Sequence, residues 1–489
     1  EWSDQGPGGN DAKQATVASQ PTYNGTTNLI NFNPSLSFNG TSNQLKTTNS
    51  IFGTGSIHYT TFGVVNSNMN GAPHRYILSD GNAACNSTVG FANSPAGYMA
   101  NINWCNDLTL APALSVGTTY LETFTRNGTT FERNNILNGL TVATSTVGGL
   151  NKVNGTGSTI GNAPSTAEYW SGRIGEIIAF ETELNAADRQ KVHSYLAVKW
   201  GLSLDQTTPT NYVSANGTVI FNATTYATYK NRVTGIGRDD CSDLIQKQSK
   251  NQDAGSLVTV SNGSVIAATN DANVSTFTAD NSWLLFGDNN KGLTWTGSGV
   301  PINGGNVRLN RVWRVKETGT VGTVYLEVPD NTSAQATKLP ATTNSIYLLV
   351  ANNSTAGKFS ALSGVTVQQM TFDPTNKIWY TTYNFADGDY FTFGSEKVCI
   401  APVGISEGLT SWHHATDMTV GAIPANTANA FSDLAFGVYP LNRNASGTAT
   451  VVAGSATSFN YNRSVTLSGN ASFFKSGLTN TDVIEPNAG

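Results

Sequence analysis

The chain has 489 residues, a formal net charge of −5 and only 12% charged residues. At roughly 100–200 residues per domain the length allows two to four domains. No basic patch is dense enough to follow a phosphate backbone and no apolar run reaches the ~20 residues that span a bilayer, which argues against nucleic acid as a partner and against a membrane span.

Gly, Ser, Thr and Asn fill the space the charges leave, a composition suited to short strands and many turns, because Gly and Asn accept positive φ and Thr favours strands. No signal peptide opens the chain, so it reads as a mature or excised segment. Residues 1–170 carry alternating stretches such as "LSFNG", "SIHYTTFGVV", "RYILSD" and "TYLETFTRNG", separated by Asn-Gly and Asp-Gly turns. This is an all-β sandwich pattern. Within it, Cys85 and Cys105 flank one loop-rich stretch. A disulfide closing that ~20-residue loop would contribute on the order of 3 kcal/mol, and the composition suits an oxidising, extracellular setting. The alternative is two buried thiols. Cys241 with Cys399 is the second candidate pair. None of the four shows the CxxC spacing of a zinc site.

The stretch "RIGEIIAFETELNAADRQKVHSYLAVKWGL" (173–202) predicts a strand followed by a helix. Asn185 is a suitable N-cap with Asp188 at N3. Val192, Tyr195, Leu196 and Trp200 follow helical spacing, and Gly201 terminates the helix at C′. The strand raises an enzymatic question. A retaining glycosidase needs two carboxyls about 5–5.5 Å apart, and some jelly-roll β-glucanases place them on one strand as E-x-D-x-x-E. Here Glu176 and Glu181 stand in "EIIAFE", with Ile178 in place of the middle Asp. Without a bulge, residues five apart point to opposite faces of a strand. The expectation is therefore a sandwich strand with Ile174, Ile178 and Phe180 inward and Glu181 in the turn. His193 is placed near the polar side of the helix, and His58, His74, His413 and His414 form no ligand set. No G-x-S-x-G, HExxH or P-loop occurs.

A polar connector follows at 203–215, and the strand pattern returns from 216 to 398, predicting a second β-sandwich. Near the end, "TSFNYNRSVTLSGNASFFK" (457–475) aligns without a gap on "NLINFNPSLSFNGTSNQLK" (28–46) at an offset of 429 residues. Asn31, Phe32 and Asn33 fall on Asn460, Tyr461 and Asn462, and Gly40 falls on Gly469. Apolar residues match in period two. The last residues thus read as the opening of a second copy of the first domain. The organisation predicted is 1–204, a sandwich lacking an opening strand like "GLTSW" (408–412), then 205–398, a second sandwich, and 399–489, a partial copy. Two readings remain open: a segment of a longer tandem-repeat chain, or a copy completed by strand donation.

With those residues in view, "YWSGRIGEIIAFETELNAADRQKVHSYLAVKWGL" (169–202) resembles the end of a laminin-G/concanavalin-like jelly-roll domain. Followed by "GIGRDD" and "QKQSK", it is similar to modules of very large secreted surface proteins of Bacteroidota-type bacteria. The resemblance implies a concanavalin-like jelly roll, then a second sandwich, in a non-enzymatic adhesin or filament exported by type IX secretion. Its partners would be neighbouring repeats, copies of itself or surface glycans. It also implies calcium or glycan sites. Asp239, Asp240, Asp243 and Asp288 lie in the acidic loops that would supply calcium oxygens, the alternative being turn-forming Asp. Trp104 and Trp170 are the tryptophans that would stack on sugars, the alternative being core packing. A carbohydrate-binding module of a surface enzyme complex is the rival function, and a glycosidase using Glu176 and Glu181 a second.

Overall fold

A computed structural model describes residues 1–68, 71–109, 112–164, 166–296, 307–341, 345–352, 359, 364–395, 418–427, 430, 441–453, 462, 464–471 and 473–475. Cys399, His413, His414 and the stretch 408–412 lie outside the described residues. Every strand ladder in the described residues is antiparallel, and the architecture is stacked sheets with one α-helix.

The N-terminal sandwich consists of two seven-stranded sheets. One runs in the order Ala12–Lys13, Leu45–Thr47, Thr159–Ile160, Arg75–Gly81, Thr88–Asn93, Met99–Ile102, Leu108–Thr109. The other runs Leu140–Ser145, Arg133–Leu137, Thr119–Arg126, Tyr59–Ser67, Ser171–Phe180, Ser35–Asn39, Thr22–Asn24. Period-two alternation lets each strand serve two environments. In Tyr59–Ser67, Tyr59 and Val65 join the inter-sheet core with Phe91 and Phe124. Phe62 and Val64 point the other way, onto the helix side.

Helix α1, Ala186–Trp200, covers that outer face. Asn185 accepts from the Asp188 N–H at 2.9 Å, and Gly201 caps the C-terminus at φ 66°, in the left-handed region glycine enters without strain. The helix is covered on two sides. Leu196, Ala197, Val198 and Trp200 form one apolar cluster with Phe62, Val64 and Leu121 of the first sandwich and with Val233, Leu244, Trp283 and Leu285 beyond it.

The second sandwich packs two sheets over a core of Ile236, Leu284, Phe286, Trp313, Val315, Leu326, Val328 and Phe391. Its larger sheet holds Asn231–Asp239 and Ser282–Asp288 as neighbours, and its smaller one centres on Val324–Pro329. Trp313 stacks on Phe391 at 5.3 Å between ring centroids.

Strand bounds recur toward the end of the chain. Ser35–Asn39 and Ser464–Ser468 coincide under the offset of 429 residues, and each is followed by a glycine at positive φ, Gly40 at 76° and Gly469 at 63°. Ser35–Asn39 pairs with Thr22–Asn24, and Ser464–Ser468 pairs with Thr448–Val452, the register differing by one residue. Ala12–Lys13 with Leu45–Thr47 is matched likewise by Leu441–Arg443 with Phe473–Lys475.

Candidate functional site

Strand Ser171–Phe180 decides the fate of the two glutamates. Its register against Tyr59–Ser67 shifts between Ile174 and Glu176, so Gly175 forms a bulge. A side chain there would collide with the Trp200 ring, 2.8 Å from the Cβ position. The bulge changes which residues face inward. Ile174, Ile177 and Ala179 pack in the sandwich core, whereas Ile178 and Phe180 pack on the helix side. The expectation of Ile178 and Phe180 inward is corrected, because one extra residue inverts the alternation downstream.

Glu176 therefore faces α1. Its Oε1 accepts from the Tyr195 hydroxyl at 2.8 Å and its Oε2 from the Trp200 indole at 2.8 Å, and Lys199 Nζ lies 2.9 Å from Oε2. This carboxylate fastens the helix. Glu181 lies in the bend just after the strand, as expected, where it accepts from the Gly53 N–H. The two carboxylates do not flank a common space.

Glu181 instead edges a cleft of about 580 Å³ with Asn49, Ser50, Gly53, Asn154 and Thr156 at one end of the first sandwich. The floor is fixed by a fully buried ion pair, Lys152–Asp80 at 3.2 Å. Lys152 Nζ donates to the Phe52 carbonyl at 2.7 Å, and Asp80 accepts from the Phe52 N–H at 2.9 Å. The Ser50 hydroxyl is buried there without a partner. The cleft offers hydroxyls, amides and one carboxylate, a set suited to polyhydroxylated ligands.

His193 is buried rather than solvent-facing. Its Nε2 lies 3.0 Å from the Thr123 hydroxyl, and its ring sits edge-on to Phe62. Burial, and secondarily Arg189, push its pKa down to about 3, so the ring stays neutral. His58 Nδ1 accepts from the Gly128 N–H at 3.2 Å, and His74 packs against Tyr76.

The aspartates proposed for calcium do not converge. Register places Asn231 opposite Asp288 and Arg238 opposite Ser282, so Asp288 lies about 24 Å along the ladder from Asp239 at ~3.4 Å per residue. Asp288 is buried and held by Arg232 at 2.5 and 2.7 Å, Asp240 pairs with Arg238 at 2.6 Å, and Asp239 accepts from the Ala215 N–H at 2.8 Å. Asp243 takes a left-handed turn conformation at φ 50°. Among the described residues no group of three or more His, Cys, Asp or Glu could hold a metal ion.

Trp170 is 0% exposed, so it packs in the core and presents no stacking face. Trp104 is half-buried beside Tyr76 and Ile102, its N–H held by Asp107 at 2.9 Å. Next to it, Cys85 and Cys105 are joined by a disulfide with a Cα–Cα distance of 5.2 Å. The bridge ties loop 103–107 to the turn after Arg75–Gly81. Replacing both cysteines by serine should lower unfolding free energy by about 3 kcal/mol, read by denaturant melts. An unchanged midpoint would show the loop held by other contacts. Cys241 is exposed, and its proposed partner Cys399 lies outside the described residues.

Two features escaped the sequence reading. Between the sheets, Glu122 is 0% exposed and burial pushes its pKa up to about 8, offset in part by Asn93. With the Asn93 amide oriented to satisfy both its ends, its nitrogen donates to both Glu122 oxygens at 3.1 Å. On the same face, Arg126 and Arg133 are also buried.

Residues 188–395 match the family described as "Domain of unknown function (DUF8202)". No curated protein matches the chain. Partial likenesses to solved structures include the native heptameric SAP-like pentraxin from Limulus polyphemus, 18% identical with a TM-score of 0.27, over 33% of this chain and 82% of that one. Domain 4 of AbnA, a GH43 extracellular arabinanase from Geobacillus stearothermophilus, in complex with arabinotriose, is 13% identical with a TM-score of 0.28, over 34% and 78%. The Ruminococcus gnavus IT-sialidase CBM40 bound to alpha2,3 sialyllactose is 16% identical with a TM-score of 0.23, over 27% and 79%. Scores this low leave the reading to this chain's own residues. No helix among the described residues is long and apolar enough to cross a membrane.

Proposed function

We propose that the chain is a non-enzymatic structural and adhesive module of a large extracellular surface or filament protein, built to hold successive sandwiches in fixed relation. The observation that carries this is the seam around Asn31-Phe32-Asn33. Asn31 Nδ2 donates to the carbonyls of Val198 and Lys199 at 3.3 and 3.0 Å and to the Ser249 hydroxyl at 3.0 Å. Its Oδ1 accepts from the Lys250 N–H at 2.8 Å. Asn33 Nδ2 donates to the Lys199 carbonyl at 2.7 Å and to Gln246 Oε1 at 3.2 Å. One turn of the first sandwich thus satisfies the open C-terminal carbonyls of α1 and grips the second sandwich. Most of these groups are buried, where a misplaced partner costs about 1–3 kcal/mol, so the seam specifies one relative orientation.

The same Asn-aromatic-Asn triplet recurs at 460–462 ahead of a strand with matching bounds, which supports tandem copies. Glu176 held by helix α1 and Glu181 at Gly53, in a cleft that Glu176 does not line, support a non-catalytic role. Incubated with β-glucans and other polysaccharides, the protein should release no sugar. Release that Glu176→Gln or Glu181→Gln abolishes would overturn the reading. The natural polypeptide, weighed under denaturing conditions, should greatly exceed 51.6 kDa.

A second reading, carbohydrate binding, is favoured by the polar cleft at Glu181 and the unpartnered Ser50 hydroxyl. Glycan-array binding lost in Ser50→Val would support it.

A further inference from the structure

Arg126 and Arg133 face each other directly across the hairpin between strands Thr119–Arg126 and Arg133–Leu137. Directly opposed residues have Cβ atoms about 4.5–5.5 Å apart, and like charges there repel. Both side chains are buried between the sheets, at 0% and 1% exposure. A buried charge normally has an opposite partner. Here neither arginine takes part in any ion pair among the described residues.

The donors are also under-used. Arg133 donates Nη1 to the Asn101 carbonyl at 3.1 Å and, with the Asn103 amide turned, to its oxygen at 3.2 Å, and Nη2 to the Val147 carbonyl at 3.0 Å. Among the described residues Arg126 reaches only the Gly148 carbonyl, at 3.5 Å, and one of its faces lies 5.6 Å from the Phe131 ring. Arg126 Nε and Nη1 and Arg133 Nε are buried with no hydrogen-bond partner among the described residues. Among the described residues no acid pairs directly with either guanidinium, and the charge of Asp107 reaches Arg133 only from a distance. Tyr59, opposite Arg126 in the next strand, keeps its proton because burial pushes its pKa up to about 12. Its hydroxyl donates to Asn101 at 2.6 Å. Glu122, on the same face, is held as the neutral acid by burial. Asp107 is exposed, with its Oδ1 occupied by the N–H groups of Asn103 and Trp104.

We propose that Arg126 and Arg133 form an internal binding site for one small monovalent anion of chloride size, beside the segment Val147–Gly148 whose carbonyls the two guanidiniums reach. The anion takes free N–H donors of both guanidiniums and relieves the repulsion of the cross-strand pair. The charge follows from two guanidiniums without an ion pair, and the small size from their burial as one directly opposed cross-strand pair. The site would make the outer hairpin of the sandwich halide-dependent.

Two readouts on the whole protein test this. Melting is followed in sodium chloride, bromide or fluoride at matched ionic strength. Crystals grown in sodium bromide are examined for anomalous scattering. The expected result is a saturable rise in Tm of about 5 °C with chloride or bromide over fluoride, and a bromide peak within hydrogen-bond distance of both guanidiniums. Arg126→Met should lose the halide response, whatever its own Tm, and if it fails to fold the two native-protein readouts still decide. Equal melting in all three salts overturns the proposal, as it would if Asp107 swung in as counter-ion. A peak without a halide-dependent Tm marks an adventitious ion only and overturns it too. A halide-dependent Tm with no peak at the arginines places the ion elsewhere, with the same consequence.

Discussion

Asn31→Ala is expected to lower unfolding free energy by about 3–4 kcal/mol and to split the melting of the two sandwiches into separate transitions. The native side chain donates to the Val198 and Lys199 carbonyls at the end of α1 and to Ser249, and accepts from the Ser249 hydroxyl and the Lys250 N–H. Alanine leaves the Lys250 N–H and the two helix carbonyls without that partner. It also places a Cβ-bearing residue without a local polar side chain at φ 48°, which costs roughly another 1 kcal/mol. Asn31→Gly separates the two effects, because glycine keeps the backbone at no strain while losing every contact. If both variants melt as the native chain does, the seam is ornamental and the fixed orientation has another cause.

Glu122→Gln should stabilise the fold by about 3 kcal/mol at pH 7. The sign follows from proton binding. Folded Glu122, with its pKa near 8 rather than 4.5, holds a proton that the unfolded chain has released. Stability from this group is greatest below pH 4.5, falls as pH rises toward 8, and is level above that. Glutamine mimics the neutral acid, and Asn93 can turn its amide to meet it. The difference between variant and native should therefore vanish near pH 4 and grow through pH 8. His193 acts in the opposite sense: buried neutral, it withdraws stability as pH falls from 6.5 toward 3. Comparing variant with native at each pH cancels that background. A difference independent of pH would mean Glu122 is ionised in the fold.

The helix was legible because its signals are local. Asn185, Asp188 and Gly201 specify caps within one turn of the chain. His193 could have been placed inside too, since 193, 196, 197 and 200 share one helical face. The direction of Ile178 and Phe180 was not legible, because Gly175 forms a bulge only against a neighbouring strand 110 residues earlier, as Glu176 meets Val64. The Asn31-Phe32-Asn33 triplet was visible as a repeat, but its task was not: its partners at 246–250 lie over 200 residues away. Glu122 and Arg126 sit in the core phase of "TYLETFTR", set by Phe124. That alternation carried a warning of buried charge, which only the pairing with Arg133 made specific. The aspartates failed as a calcium set for the same reason in reverse. Asp288 is separated from the other three by the length of a ladder.

Native-state hydrogen exchange on the whole chain tests most directly whether the two sandwiches are one unit. The amides of Tyr59–Ser67 and of Ser282–Asp288, on either side of α1, should exchange through a shared opening, with equal free energies and equal denaturant dependence. Independent openings, with one sandwich fully protected while the other exchanges, would contradict the account.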